Sequence, residues 1–253
     1  MNSIGIKIFN QLKDNYSFIL YNDNKDASVI DPAESLPIIE YANINNLKIK
    51  DIFVTHHHKD HTNGIGEIIK RFPKVNVHSP SSQIENTRFI LRNNDNIETQ
   101  TNTFKIISTP GHTLDHIIYL DHQNKLLFSG DTLFRLGCGR VFEGSLNEMF
   151  TSLKKINELN DDLTVYCGHE YTLSNLNFLE SITNKKNLYL DIHQKIEHDF
   201  KKNTKSIPFN LGEEKLYNLF LNQESKIGKL MKRELKLENF GLFKHLREKK
   251  DNF

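Results

Sequence analysis

Short β-branched and aromatic runs alternate with stretches of helical spacing through the first two-thirds of the chain. Residues 4–9, 17–21, 28–30 and 51–55 have the composition of strands, and so do 75–78, 104–108, 117–120 and 125–129. Helical patterns lie between them, over 36–45 and 65–72. The clearest helix start is at Ser145. Ser145 and Glu148 form a capping-box pair, and Leu146, Met149, Phe150, Leu153, Ile156 and Leu159 follow on one stripe. Strands alternating with helices predict sheets covered by helices, an α/β class.

A last strand-like run covers 163–167, and there the strand signal stops. From about Leu173 the spacing is helical, with Leu188, Ile192, Ile196 and Phe200 recurring every four residues. Pro208 breaks this pattern, and helical sequence resumes from Glu213 to the end. The expected organisation is a larger α/β domain over residues 1–171 and a small all-helical domain over 172–253.

With 37% hydrophobic and 26% charged residues, a chain of 253 residues is ordinary for a globular protein with a real core. No apolar run reaches the roughly 18 residues of a membrane span, and residues 1–9 lack the basic-then-apolar pattern of a signal peptide. Cys138 and Cys167 are the only cysteines, too few for a disulfide framework, and they read as small buried side chains in a reducing compartment. A cytoplasmic protein is expected, without a membrane partner and as a monomer. Net charge is +1 but unevenly spread: residues 185–253 hold 16 Lys/Arg and 10 Asp/Glu, or +6, leaving −5 elsewhere. That bias suits a small anionic ligand. A nucleic-acid surface would carry a denser basic stripe, so no nucleic-acid partner is expected.

The histidines change the picture. His56, His58 and His61 fall within six residues, with Asp60 beside them, directly after the strand-like run 51–55. Residues two apart in an extended chain point the same way, so His56 and His58 can face one ion while Asp60 and His61 reach another. Three further segments place a histidine or aspartate where a strand ends and a glycine turn begins. They are Thr109-Pro110-Gly111-His112, Gly130-Asp131-Thr132 and Tyr166-Cys167-Gly168-His169-Glu170. Strand ends at the rim of a rigid sheet are where such folds carry their chemistry. The sum is five histidines and two aspartates, too many for one tetrahedral ion and suited to two ions sharing a carboxylate. The expected partition gives His56, His58 and His112 to one ion and Asp60, His61 and His169 to the other. Asp131 bridges them. Nitrogen and oxygen donors without thiolate suit zinc first, with iron or manganese as alternatives. The remaining histidines read as ordinary surface or core residues; His57 alternates away from the ligands, and His116 is a candidate support for one of them.

Two ions about 3.5–4 Å apart hold a bridging water, lower its pKa towards 7 and stabilise the oxyanion formed at an attacked carbonyl. Asp60 and Asp131 are the catalytic carboxylates of that scheme. A thiolate leaves without a proton donor, since a thiol pKa is about 8.5, so the expected substrate is a thioester.

The run Thr-His-x-His-x-Asp-His at residues 55–61, with the Pro-Gly-His, Gly-Asp-Thr and Gly-His-Glu segments, resembles the metallo-β-lactamase superfamily. The resemblance implies a four-layer αββα sandwich with the metals at one edge. Aspartate at 131 and Asp60 beside His61 resemble its binuclear hydrolases more than its β-lactamases, which have a cysteine at the place of Asp131. Within the superfamily the chain looks like glyoxalase II, the hydroxyacylglutathione hydrolases. The segments that carry this are Gly130-Asp131-Thr132-Leu133-Phe134 with Gly137-Cys138-Gly139-Arg140, residues 166–172, Ser206-Ile207-Pro208 with Glu213-Glu214, and the end of the chain from Leu246. The implied reaction is hydrolysis of S-D-lactoylglutathione to glutathione and D-lactate, a step of methylglyoxal detoxification.

By the same resemblance Arg247 and Lys250 pair with the glycine carboxylate of glutathione, aided by Tyr171 and the Arg140 loop. Two cationic side chains three residues apart on a helix share a face, which fits that role. Phe142 stands where some family members have tyrosine, Asn218-Leu219-Phe220 replaces Asn-Pro-Phe, and Asn222 stands where arginine is common. Two other readings compete: a single-iron persulfide dioxygenase of the same fold, and a non-catalytic metal-binding relative. Retention of all seven ligands together with a full helical tail disfavours both.

Overall fold

The strand-like runs of the first 130 residues become strands within a few residues of where their composition places them. The computed structural model describes residues 4–183, 186–203 and 205–253. It divides into two units, Met1–Ser108 with Asp115–Gly130, and Thr109–Leu114 with Asp131–Phe253.

In the first unit β1 (Gly5–Gln11), β2 (Asn15–Tyr21), β3 (Asp26–Ile30), β4 (Lys48–Phe53), β5 (Asn76–Ser79) and β6 (Phe89–Ile90) form one sheet in that order. Short turns join the first three strands, so they pair antiparallel. Helix α1 (Leu36–Ile44), the single turn α2 (Lys59–Thr62) and α3 (Ile65–Arg71) supply crossovers, and β3 to β6 pair parallel. The buried faces of α1 and α3, Ile38, Ala42, Ile65 and Ile68, share a core cluster with Val29, Ile52 and Val77 of this sheet. A second set, β7 (Asn96–Glu98), β8 (Thr103–Ser108), β9 (Ile117–Asp121) and β10 (Leu126–Gly130), runs antiparallel in the order β10-β9-β8-β7. Aromatic edges join the two sets. Phe53 of β4 meets Phe104 at 5.0 Å and Tyr119 at 5.3 Å between ring centres, and Phe18 meets Phe128 at 5.3 Å. Truncating one such buried ring to alanine costs about 3–5 kcal/mol.

The second unit begins with a hairpin of β11 (Leu133–Phe134) and β12 (Gly137–Cys138). Helix α4 (Leu146–Asn157) starts at the expected place: the Ser145 hydroxyl accepts the Glu148 N–H at 3.2 Å, and the Glu148 carboxylate accepts the Ser145 N–H at 2.7 Å. Such a cap stabilises a helix by about 1 kcal/mol. The strand β13 (Thr164–Cys167) then leads to α5 (Thr172–Thr183) and α6 (Leu190–Asn203). The strand signal does not stop at Cys167. After Pro208, β14 (Phe209–Asn210) pairs antiparallel with β13, a strand too short to show any periodicity.

Helical sequence after Glu213 resolves into three helices, α7 (Leu211–Tyr217), α8 (Lys226–Leu235) and α9 (Asn239–Asp251). Asn210 caps α7 by accepting the Glu213 N–H, Ser225 caps α8 by accepting the Gly228 N–H, and left-handed Lys236 ends α8. Phe178, Phe220 and Phe243 are buried together among α5, the segment before α8, and α9. No helix among the described residues is long and apolar enough to cross a membrane.

Candidate metal centre

Asp31, just past the end of β3, shapes the loop that follows β4. Its carboxylate accepts the Thr55 N–H and the Thr55 hydroxyl, both at 2.8 Å. Because the Thr55 proton is directed to Asp31, the Thr55 oxygen can only accept at His56 Nδ1, 3.0 Å away. His56 therefore carries its proton on Nδ1 and presents Nε2 as a lone-pair donor. Asp31 also lies 3.1 Å from His61 Nδ1. Fixing a ring through one nitrogen so that the other can bind a cation is the usual support of a metal-ligand histidine. His58 has extended backbone (φ −59°, ψ 144°) and turns the chain into α2, which brings Asp60 and His61 round. The His56 ring centre is 4.7 Å from that of His58 and 4.3 Å from that of His61, and the Asp60 Oδ2 is 3.7 Å from His61 Nε2. Asn15 donates to both Asp60 Oδ2 and the Asp60 carbonyl. His56 and His61 are fully buried.

His57 is turned away, its Nδ1 3.0 Å from Asp115 Oδ1, while buried His116 stacks on His56 at 4.9 Å. Gly130 closes this side of the sheet at φ +47°, where a Cβ would stand 2.7 Å from the Thr55 hydroxyl and 2.8 Å from His116 Nε2. Only glycine fits there.

The second unit holds the other three residues. Asp131 Oδ2 is 3.4 Å from His112 Nε2 and 3.2 Å from His169 Nε2, and all three are at least 95% buried. His112 donates from Nδ1 to the Arg140 carbonyl at 2.8 Å, which leaves Nε2 as an acceptor facing the carboxylate. Two lone-pair atoms held this close away from water call for a cation between them. The donor set therefore fits a divalent ion. The turn carrying His112 is pinned from behind: Ser152 of α4 donates to the Pro110 carbonyl, and the Phe142 and Glu143 N–H groups donate to the His112 carbonyl. His169 stacks on Tyr171 with ring centres 4.8 Å apart, and Phe134 meets both rings edge-on. A Cβ on Gly139 would collide with the Asp131 carbonyl oxygen, so that contact also requires glycine.

The residues assigned to substrate fall into two groups. Phe142, 60% exposed, meets His112 edge-on at 5.2 Å, and Tyr171 covers His169. Arg140, Arg247 and Lys250 form a basic group around α9. Arg140 is half-exposed and donates to Asp251 Oδ1 at 3.1 Å and to the Asp251 carbonyl at 2.9 Å. Arg247 is buried; it donates to Asp251 Oδ1 from Nε and Nη2 and to the Cys138 carbonyl from Nη1. Lys250 donates to the Ser174 carbonyl and hydroxyl between the rings of Phe178 and Phe253, and burial, with Arg247 nearby, pulls its ammonium down to about 8. Sequence reading missed Asp31, Thr55 and Asn15, which hold His56, His61 and Asp60, and Asp251, which holds two of the arginines. Of these only Asp251 left a signal, its i,i+4 spacing from Arg247.

Residues 13–169 match the family model of the metallo-β-lactamase superfamily. Two solved structures share the fold at low identity: ETHE1 from Myxococcus xanthus, 22% identical with a TM-score of 0.67 over 95% of each chain, and the B3 metallo-β-lactamase BLEG-1, 21% identical with a TM-score of 0.65 over 86% of this chain and 99% of that one. The α/β fold is thus that of a metallo-β-lactamase, with His/Asp groups suited to divalent metal. Residues 170–253 match a second model, the hydroxyacylglutathione hydrolase C-terminus. Proteins named hydroxyacylglutathione hydrolase from Citrobacter koseri and Salmonella newport are 38% and 36% identical over the whole of both chains. The chain belongs to the hydroxyacylglutathione hydrolase family.

Proposed function

We propose that this protein is a binuclear metal-dependent thioester hydrolase that cleaves glutathione thioesters, chiefly S-D-lactoylglutathione to glutathione and D-lactate. The observation that carries the reading is the Asp131 carboxylate standing within 3.4 Å of both His112 and His169, in a chain alike from end to end to enzymes of that name. In this reading His56, His58 and His112 would hold one ion, Asp60, His61 and His169 would hold the other, and Asp131 would be shared by both. Each unit supports the partition by itself. The first offers the pair His56–His58 and the pair Asp60–His61, and the second offers one histidine on either side of a shared carboxylate. Zinc is the ion the donors favour, with iron and manganese next.

Ions held there supply a water of lowered pKa and a Lewis acid for the thioester carbonyl. The chain's own residues do the rest. Asp31 and Thr55 hold His56 in one tautomer, and the Arg140 carbonyl does the same for His112. Phe142 and Tyr171 offer ring faces to the apolar parts of a substrate. Arg247 and Lys250 pair with the glycine carboxylate of the peptide, aided by Tyr171 and the Arg140 loop, and two cations on one face of a helix suit that group. Residues 1–171 form the catalytic domain and 172–253 the glutathione-binding domain. The protein works as a cytoplasmic monomer.

Steady-state hydrolysis of S-D-lactoylglutathione, followed by loss of thioester absorbance on metal-analysed protein, tests this directly. Rapid turnover is expected. No turnover by protein with two bound metals would refute the assigned substrate.

A further inference from the structure

Arg140 joins two parts of the second unit through different groups. Its carbonyl receives the His112 Nδ1–H, and its guanidinium closes on both the carboxylate and the carbonyl of Asp251, the last residue of α9. Asp251 Oδ1 is itself fixed by Arg247, through Nε at 3.1 Å and Nη2 at 2.8 Å. Arg247 then grips the Cys138 carbonyl, two residues before Arg140, at 3.0 Å. The segment from Cys138 to Arg140 is thus tied to the terminal helix at two points, one on each side of Gly139. An ion pair as exposed as Arg140–Asp251, with side chains 51% and 35% accessible, adds little to stability. What it does fix is the position of the Arg140 main chain, and with it the oxygen that holds His112.

We propose that Asp251 is a positioning residue for the metal centre: by clamping Arg140 it keeps that residue's carbonyl on His112 Nδ1, so that the terminal helix sets how tightly the His112 side holds its ion. This rests on the reading of His112 as a ligand. The chain of contacts is short and made of named atoms: Asp251 carboxylate, Arg140 guanidinium, Arg140 carbonyl, His112 Nδ1–H. Loss of a group that orients a ligating histidine weakens metal binding by about 10–100-fold, and a link one residue further out is expected at the lower end of that range.

The experiment is chelator competition with Zn²⁺ on the full-length protein, comparing wild type with Asp251→Ala, Arg140→Gln, the double variant and His112→Ala. Arg140→Gln keeps the peptide carbonyl and leaves Arg247 with its partners, so it remains informative if Asp251→Ala folds poorly. Each single variant is expected to bind the weaker ion about tenfold less tightly. Because both act through one link, the double variant should be no weaker than either single by more than about twofold. A merely structural role would instead lower the melting temperature of metal-free Arg140→Gln, which is expected to stay at the wild-type value. Wild-type zinc affinity in both single variants, or losses that multiply in the double, would overturn the proposal. If His112→Ala keeps both ions at wild-type affinity, the ligand reading itself fails. If His112→Ala loses an ion while Asp251→Ala and Arg140→Gln do not, only the link through Asp251 fails.

Discussion

The two units supply the candidate metal residues in opposite ways. The first draws four from one short run, His56 to His61, shaped by a single strand end, a one-turn helix and the carboxylate of Asp31. The second gathers three from separate strand ends, and each is placed by something distant in sequence. His112 depends on the Arg140 carbonyl, Asp131 on the close approach of Gly139, and His169 on packing against Tyr171 and Phe134. A local run needs only its own loop to be right. A dispersed set needs the hairpin and the helices behind it, which is where this chain has invested its buried polar contacts: Asn218 donates to the Phe134 and Gly137 carbonyls, Asn175 to the Arg135 carbonyl, and Glu214 accepts the Leu136 N–H.

The largest effect is expected where the dispersed set converges. Asp131→Ala removes the one carboxylate shared by both histidines of its unit, and kcat is expected to fall by on the order of 10²-fold or more, with loss of bound metal. Near-normal turnover would break the account of a bridging carboxylate.

A second test addresses the scaffold of the dispersed set. Burial pushes the Glu214 carboxyl up to about 7, against the partial relief of the Leu136 N–H and Arg135. A folded value above the unfolded one of about 4.3 means that its stabilising contribution is full at acid pH and is lost as pH rises through 7. Glu214→Gln keeps an acceptor for Leu136 and removes the charge. Urea unfolding should find the stability gap smallest near pH 4 and the variant gaining on wild type by about 1–3 kcal/mol between there and pH 8. A gap that does not grow with pH would show that Glu214 is not buried as a neutral acid.

Smaller effects separate substrate contacts from metal contacts. Lys250→Ala is expected to raise KM about tenfold while kcat changes little, the pattern of uniform substrate binding. A large loss in kcat with KM unchanged would assign Lys250 to the chemistry instead. Smallest of all, His57→Ala should leave metal content and turnover within about twofold of wild type, since a surface pair with Asp115 is worth little. Loss of an ion in that variant would show that the run does not alternate as its backbone implies.

How much was legible follows the same division. The capping box at Ser145 and the helix after it were readable because every determinant lies within a few residues. The same holds for the run after β4, where an extended chain separates His57 from His56 and His58 by simple alternation. Strands β11, β12 and β14 were not readable, because two residues carry no period. Nor was the burial of Arg247: in a charged terminal run an arginine looks solvated, and only packing against Phe220 and the Cys138 carbonyl takes it out of water. Asp31, followed by Pro32, carries no local pattern that points to a role. Its carboxylate becomes important only once parallel pairing of β3 and β4 sets it beside Thr55.

The most direct measurement of the central claim is metal stoichiometry in the purified protein and in His169→Ala. Two ions per chain in the wild type and close to one in the variant are expected if the local run and the dispersed set hold two ions between them. A single ion in the wild type, or two held equally firmly without His169, would contradict it.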